Sequence, residues 1–106
     1  MYVTVTTTKG PPDQPRDIAT IAGEEMLPWL RDIDGFEGLL MLTDEAGVTA
    51  LAITFWRDQE VAQRHKAARV EFRDRVTAAV NVTVEDATDY ELSFVHLGPL
   101  LRELKG

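Results

Sequence analysis

Residues Tyr2 to Thr8 alternate, with Val3 and Val5 on one face of a pleat and Thr4, Thr6 and Thr8 on the other, which predicts a first strand of β-favouring side chains. One Gly and three Pro between Lys9 and Pro15 then predict a rigid loop that no ladder can use. Beyond it the period changes. Ile18, Ile21, Ala22, Met26, Trp29, Leu30 and Ile33 recur at the three-and-four spacing of a helix with one apolar stripe. Asp13 or Asp17 can serve its N-terminus, Pro28 predicts a kink or a distinct last turn, and the boundary falls near Gly35. Leu39 to Thr43 and Val48 to Trp56 are strand-like runs separated by Asp44, Glu45, Ala46 and Gly47, which is hairpin chemistry. Asp58 offers an N-cap to a second helical region in which Val61, His65, Ala68, Phe72, Val76 and Ala79 step by three or four. That region is expected to break near its middle and to end by Asn81. Val82 to Leu97 is the last strand region, with Tyr90, Leu92, Phe94 and His96 on one face.

The order strand, helix, strand, strand, helix, strand is the split βαβ plan: an α+β, ferredoxin-like βαββαβ fold. Right-handed crossovers put both helical regions on one face of a four-stranded antiparallel sheet. The expected division is a domain over 1–97 and a C-terminal tail over 98–106. A sheet with one wet face should alternate apolar and polar residues, yet Leu39 to Leu42 and then Ala50 to Ile53, Phe55 and Trp56 are apolar on both faces. The second face wants a cover. A chain of 106 residues has no spare helix apart from the tail, so the expected cover is a second copy and the expected partner is a homodimer mate.

Charge and composition narrow the function. Eleven Lys and Arg against eighteen Asp and Glu give a net charge of -7, which repels phosphate backbones and anionic lipid, so neither nucleic acid nor membrane is an expected partner. The absence of cysteine removes thiol nucleophiles, disulfides and thiolate metal sites together. The longest apolar runs fall far below the roughly 20 residues that cross a bilayer. The N-terminal stretch lacks the basic start and apolar middle of a signal peptide, so the expected compartment is the cytoplasm.

Gly35, Phe36, Gly38 through Asp44 and Gly47, followed by Ile53, Thr54, Phe55, Trp56 and an acidic helix start at Asp58 and Glu60, resemble the antibiotic biosynthesis monooxygenase-like (ABM) superfamily. Asp34 stands where that pattern usually has a proline, while the hairpin and the strand-end Trp match. The resemblance implies a dimeric α+β barrel with a pocket between helices and sheet in each subunit. Some members oxidise polyketide-like aromatic molecules there without metal or flavin. The haem-degrading branch carries an Asn in the first strand and a Trp nine residues after the strand-end Trp. Here the first strand has no Asn and the nine-residue position is His65, which argues against that chemistry.

Within that frame His65, on the apolar stripe with Val61, Ala68 and Phe72, is the candidate catalytic base, because a near-neutral imidazole can take a proton from a phenol or carbon acid. Trp56 is the candidate stacking wall, and Phe72, Trp29, Thr4 and Thr6 are candidate substrate contacts, the threonines through their hydroxyls. Arg69 or Arg73 is placed to attract a carboxylate or phenolate at the pocket mouth. Glu60 with Arg64 and Glu71 with Arg75 have the spacing of helical ion pairs. Two histidines without metal-ligand spacing predict no metal, and no other cofactor is expected. The leading expectation is therefore an ABM-like protein that binds, and oxygenates without cofactor, a small aromatic or polyketide-like molecule. The alternative is a non-catalytic ligand-binding or dimerisation module of the same fold.

Overall fold

The computed structural model describes residues 1–11 and 18–104. Its strands are β1 (Tyr2–Lys9), β2 (Phe36–Thr43), β3 (Thr49–Trp56) and β4 (Thr83–Glu91). Its helices are α1 (Ile18–Arg31), α2 (Gln59–Arg64), α3 (Lys66–Ala79) and a short α4 (Pro99–Glu103). The strands form one antiparallel sheet in the order β2-β3-β1-β4, the ferredoxin-like arrangement that the element order predicts. The expected N-cap of α1 at Asp13 or Asp17 lies outside the described residues.

Local chemistry explains most boundaries. The β2–β3 hairpin turns at Gly47, which takes a positive φ of 71°, while Asp44 Oδ1 accepts from the backbone amides of Val48 and Thr49. Asp58 caps α2 by accepting from the Val61 amide at 3.0 Å, which holds its carboxyl below the usual range. Gly35 reaches φ 96° in the link from α1 to β2, and a Cβ there would stand 2.6 Å from a Val61 methyl carbon. Only glycine lets that link pass under α2. Among the described residues no helix is long and apolar enough to cross a membrane.

The first helix runs through Pro28 to Arg31, with Pro28 in its last turn. Two expectations need correction. The last strand stops at Glu91, and among the described residues Leu92 to Gly98 pair with no strand. The second helical region breaks as expected, at His65, whose φ of -115° and ψ of 26° close α2 and restart the chain as α3, but the apolar stripe expected to run inward through His65 does not. A break resets the helical phase, so the stripe through His65 and Ala68 does not continue inward.

The sidedness of the sheet follows from its register. Leu39, Thr54, Thr4 and Asp89 are aligned across the four strands, as are Met41, Ala52, Thr6 and Ala87. These rows lie on the face that α1, α2 and α3 cover, where Leu30, Trp56, Val61 and Ala62 form the buried core. The alternate rows contain Leu40, Ile53 and Val5, and then Leu42, Leu51 and Thr7. They project from the opposite face, on which none of the described helices α1, α2 and α3 packs, and Leu40 and Leu42 are about half exposed.

Candidate functional site

The helices cover the threonine face of the sheet and leave a cleft above it. Thr4, Thr6 and Thr8 of β1 and Ala52 and Thr54 of β3 make the floor, with Met41 of β2 at one side. Ala22, Met26 and Leu30 of α1 form one wall, and Arg69, Val70, Arg73, Val76 and Thr77 of α3 form the other. Its cavity volume is about 60 Å³. A cavity that holds a benzene-sized guest measures roughly 150 Å³, so a flat ring cannot be swallowed whole and must lie partly in the mouth.

Thr4 organises one end of this floor. Its hydroxyl accepts from Trp56 Nε1 at 3.0 Å and from Arg69 Nη1 at 3.4 Å, and donates to Asp89 Oδ1 at 2.7 Å. One donor and two acceptor sites are all that a hydroxyl has, so Thr4 is saturated. Thr6 and Thr54 are only 8% and 7% exposed, and among the described residues neither hydroxyl has a hydrogen-bond partner. They are polar groups kept from bulk water that face a cleft.

The Arg69 guanidinium lies 4.8 Å from the centre of the Trp56 ring, and its Nη2 donates to the buried carbonyl of Ala62. Burial pushes its pKa down from the ordinary value, the charge of Asp89 opposes that shift, and the neighbouring Arg73 adds to it. A guanidinium does not give up its proton in a protein, so the strain on its charge persists at every working pH. Among the described residues no carboxylate forms a salt bridge with Arg69, whereas Arg73 pairs with the adjacent Asp74 at 3.1 Å. The two arginines are the charged residues of the described lining, in a chain whose net charge is -7.

The residues expected from sequence are distributed as follows. Thr4 and Thr6 are in the floor, and both Arg69 and Arg73 reach the cleft. Trp56 is only 1% exposed and sits behind Arg69, so a ligand in the cleft meets the guanidinium and not the indole face. Trp29 and Phe72 stack on each other at 4.8 Å, away from the cleft lining, with Arg75 over the Phe72 ring at 5.7 Å. His65, expected to face the helix–sheet space, is exposed at the α2–α3 break, because the interrupted helix turns it outward. Glu60 and Arg64 form their ion pair at 2.8 Å; among the described residues Glu71 and Arg75 do not. Sequence reasoning missed Asp89 and Thr54. Each became visible only through strand register, Asp89 standing opposite Thr4 across 85 residues of chain. Among the described residues no group of three or more His, Cys, Asp or Glu is gathered to hold a metal ion.

The fold, a four-stranded antiparallel sheet with helices, is that of the antibiotic biosynthesis monooxygenase structures. A monooxygenase from the gene ActVA-Orf6 of Streptomyces coelicolor, solved with the ligand Nanaomycin D, superposes with a TM-score of 0.67 at 15% identity, covering 92% of this chain and 91% of that one. SnoaB, a cofactor-independent oxygenase from Streptomyces nogalater, gives a TM-score of 0.68 at 11% identity, with 89% and 94% covered. A structure from Deinococcus radiodurans assigned to the same monooxygenases gives 0.66 at 19% identity, with 92% and 97% covered. At these identities the likeness is one of fold. No protein-family model matches the sequence, and no curated protein matches it either.

Proposed function

We propose that this protein is a cytoplasmic homodimer that binds a small aromatic or polyketide-like molecule in the cleft between its helices and its sheet. The observation that carries this reading is the sidedness of the sheet: the Thr6 and Thr54 hydroxyls, unpartnered among the described residues, line a cleft under the helices, while leucines, isoleucine and valine face away from them. A fold that placed its apolar face outward and its threonines inward would be poorly arranged for a monomer that only had to be stable. It is well arranged for a ligand on one side and a second copy on the other. The fold likeness supports the reading, since one similar structure was solved with Nanaomycin D and another is a cofactor-independent oxygenase.

Binding without turnover is favoured over oxygenation by the composition of the lining. Oxygenation without a cofactor needs a group that takes a proton from the ligand. The described lining holds no histidine and no carboxylate, and Asp89 communicates with the cleft through the Thr4 hydroxyl. Native mass spectrometry of gently purified protein, followed by oxygen-uptake measurements with any molecule it retains, tests both levels. The expected result is a dimer carrying a small-molecule adduct, with no ligand-dependent oxygen uptake. A monomer overturns the assembly, and ligand-dependent uptake that survives in His65→Ala moves the reading to an oxygenase whose base is not His65.

A further inference from the structure

We propose that the cleft is a receptor for an aromatic carboxylate, whose two oxygens take the charge of Arg69 and Arg73 while its ring lies in the cleft mouth. The inference deepens the proposed binding function and rests on it. The first ground is charge. An acidic chain has placed two arginines, and among the described lining residues no acid, on one cleft. They sit four residues apart on α3, one turn of the same helix face, and the charge of Arg73 adds to the burial that disfavours the charge on Arg69. Arg73 relieves part of its charge on Asp74, which is largely solvated, but Arg69 has only neutral acceptors in direct contact, the Ala62 carbonyl and the Thr4 hydroxyl. An anion between the two guanidinium groups would remove both the repulsion and the missing ion pair.

The second ground is size and hydrogen bonding. A cavity of about 60 Å³ is too small to take a ring whole but admits a carboxylate-sized head. Two-oxygen anions match the fork of an arginine better than a single phenolate oxygen does, which favours the carboxylate among organic anions. The acceptor capacity that the arginines leave unused has donors waiting, because the Thr6 and Thr54 hydroxyls are buried and unpartnered among the described residues. Ala22, Met26, Val70 and Val76 supply the apolar walls for the hydrocarbon part. An aliphatic body would satisfy those walls as well, but a flat ring loses less conformational freedom on entering a narrow cleft.

Benzoate and its neutral isostere benzamide test the proposal directly, by calorimetric titration of the full chain at equal ionic strength. Benzoate is expected to bind at least tenfold more tightly than benzamide. Amide signals of Thr6 and Thr54 should shift in a nuclear magnetic resonance titration with benzoate. Arg73→Gln, a change at a partly solvated side chain, should reduce benzoate affinity at least fivefold and leave benzamide binding within twofold. Arg69→Gln should abolish the preference, and because Arg69 also holds Trp56 and Ala62, its fold is to be checked by circular dichroism first. Equal binding of the two probes overturns the carboxylate assignment while leaving a ligand-binding cleft in place. Binding of neither probe, or shifts confined to residues outside the cleft, overturns it as well, and the first of these also removes the support for a cleft that takes small aromatic molecules.

Discussion

At the residue scale, Thr4 is the position on which most of the site depends. A single hydroxyl joins the indole of the most deeply buried aromatic residue, the arginine above it and a carboxylate on the neighbouring strand. Thr4→Val preserves the shape and the β-branched character of the side chain but removes all three bonds. The buried Trp56 N–H then has no acceptor, and such an orphaned group costs about 1–3 kcal/mol. The expected outcome is an unfolding free energy lower by that amount, read as a lower urea midpoint with an unchanged slope; an unaltered midpoint would mean that water replaces the hydroxyl without loss. Trp56 also explains why Arg69 is where it is. The ring face favours a cation, and the weakly hydrated guanidinium tolerates that half-buried place better than an ammonium would.

At the element scale, the α2–α3 break decides which side chains reach the cleft. Had the helix continued in phase from Val61, the sequence stripe would have carried His65, Ala68 and Phe72 inward. With the restart at His65 the inward positions of α3 are Arg69, Val70, Arg73, Val76 and Thr77. One interrupted turn therefore exchanges a histidine for two arginines as the polar chemistry of the cleft. The short α2 is held at its start by Asp58, whose carboxyl is kept ionised mainly by the bond from the Val61 amide, with Arg57 assisting. A carboxyl whose folded pKa lies below its unfolded value adds stability that is complete above the unfolded value, about 3.9, and is lost as pH falls through the lowered folded one. Acid titration of stability should therefore show a decline on the acid side of that value. Asp58→Asn keeps a capping oxygen but has no proton to take up, so the part of the decline that belongs to this cap should vanish in that variant.

For the whole molecule, the sheet has two faces with opposite assignments. The covered face carries threonines and a cleft, and the uncovered one carries Leu40, Leu42, Leu51, Ile53 and Val5. The C-terminal stretch adds to the exposed apolar surface, since Phe94 is 85% exposed and Leu100 is 75% exposed. If a second copy covers the sheet, a charge placed on the uncovered face should separate the copies without disturbing either fold. Leu42→Glu is expected to convert a dimer to monomers in sedimentation equilibrium, weakening association by at least a hundredfold, while the circular dichroism spectrum stays the same. A dimer that persists unweakened would place the contact elsewhere, the C-terminal stretch being the next surface to test.

The sequence by itself determined the number, order and type of the main elements, because alternation, helical spacing, turn chemistry at Asp44 to Gly47 and the cap at Asp58 are local signals carried within a few residues. It also indicated a sheet with apolar residues on both faces, and it singled out Thr4, Thr6, Arg69 and Arg73 by type and position. Tertiary structure alone decided how these come together. The pairing of β1 with β4 brings Asp89 to Thr4, a contact that no periodicity can reveal, because it depends on the register of strands at opposite ends of the chain. A break in the second helical region was expected, but its location at His65 sets the phase of everything after it, and a shift of one residue is enough to turn a side chain by about 100° around the helix axis. Trp56 and His65 were singled out by residue type, and packing moved one behind a guanidinium and the other into solvent. Local propensity is written along the chain, whereas a site is a set of distances across it.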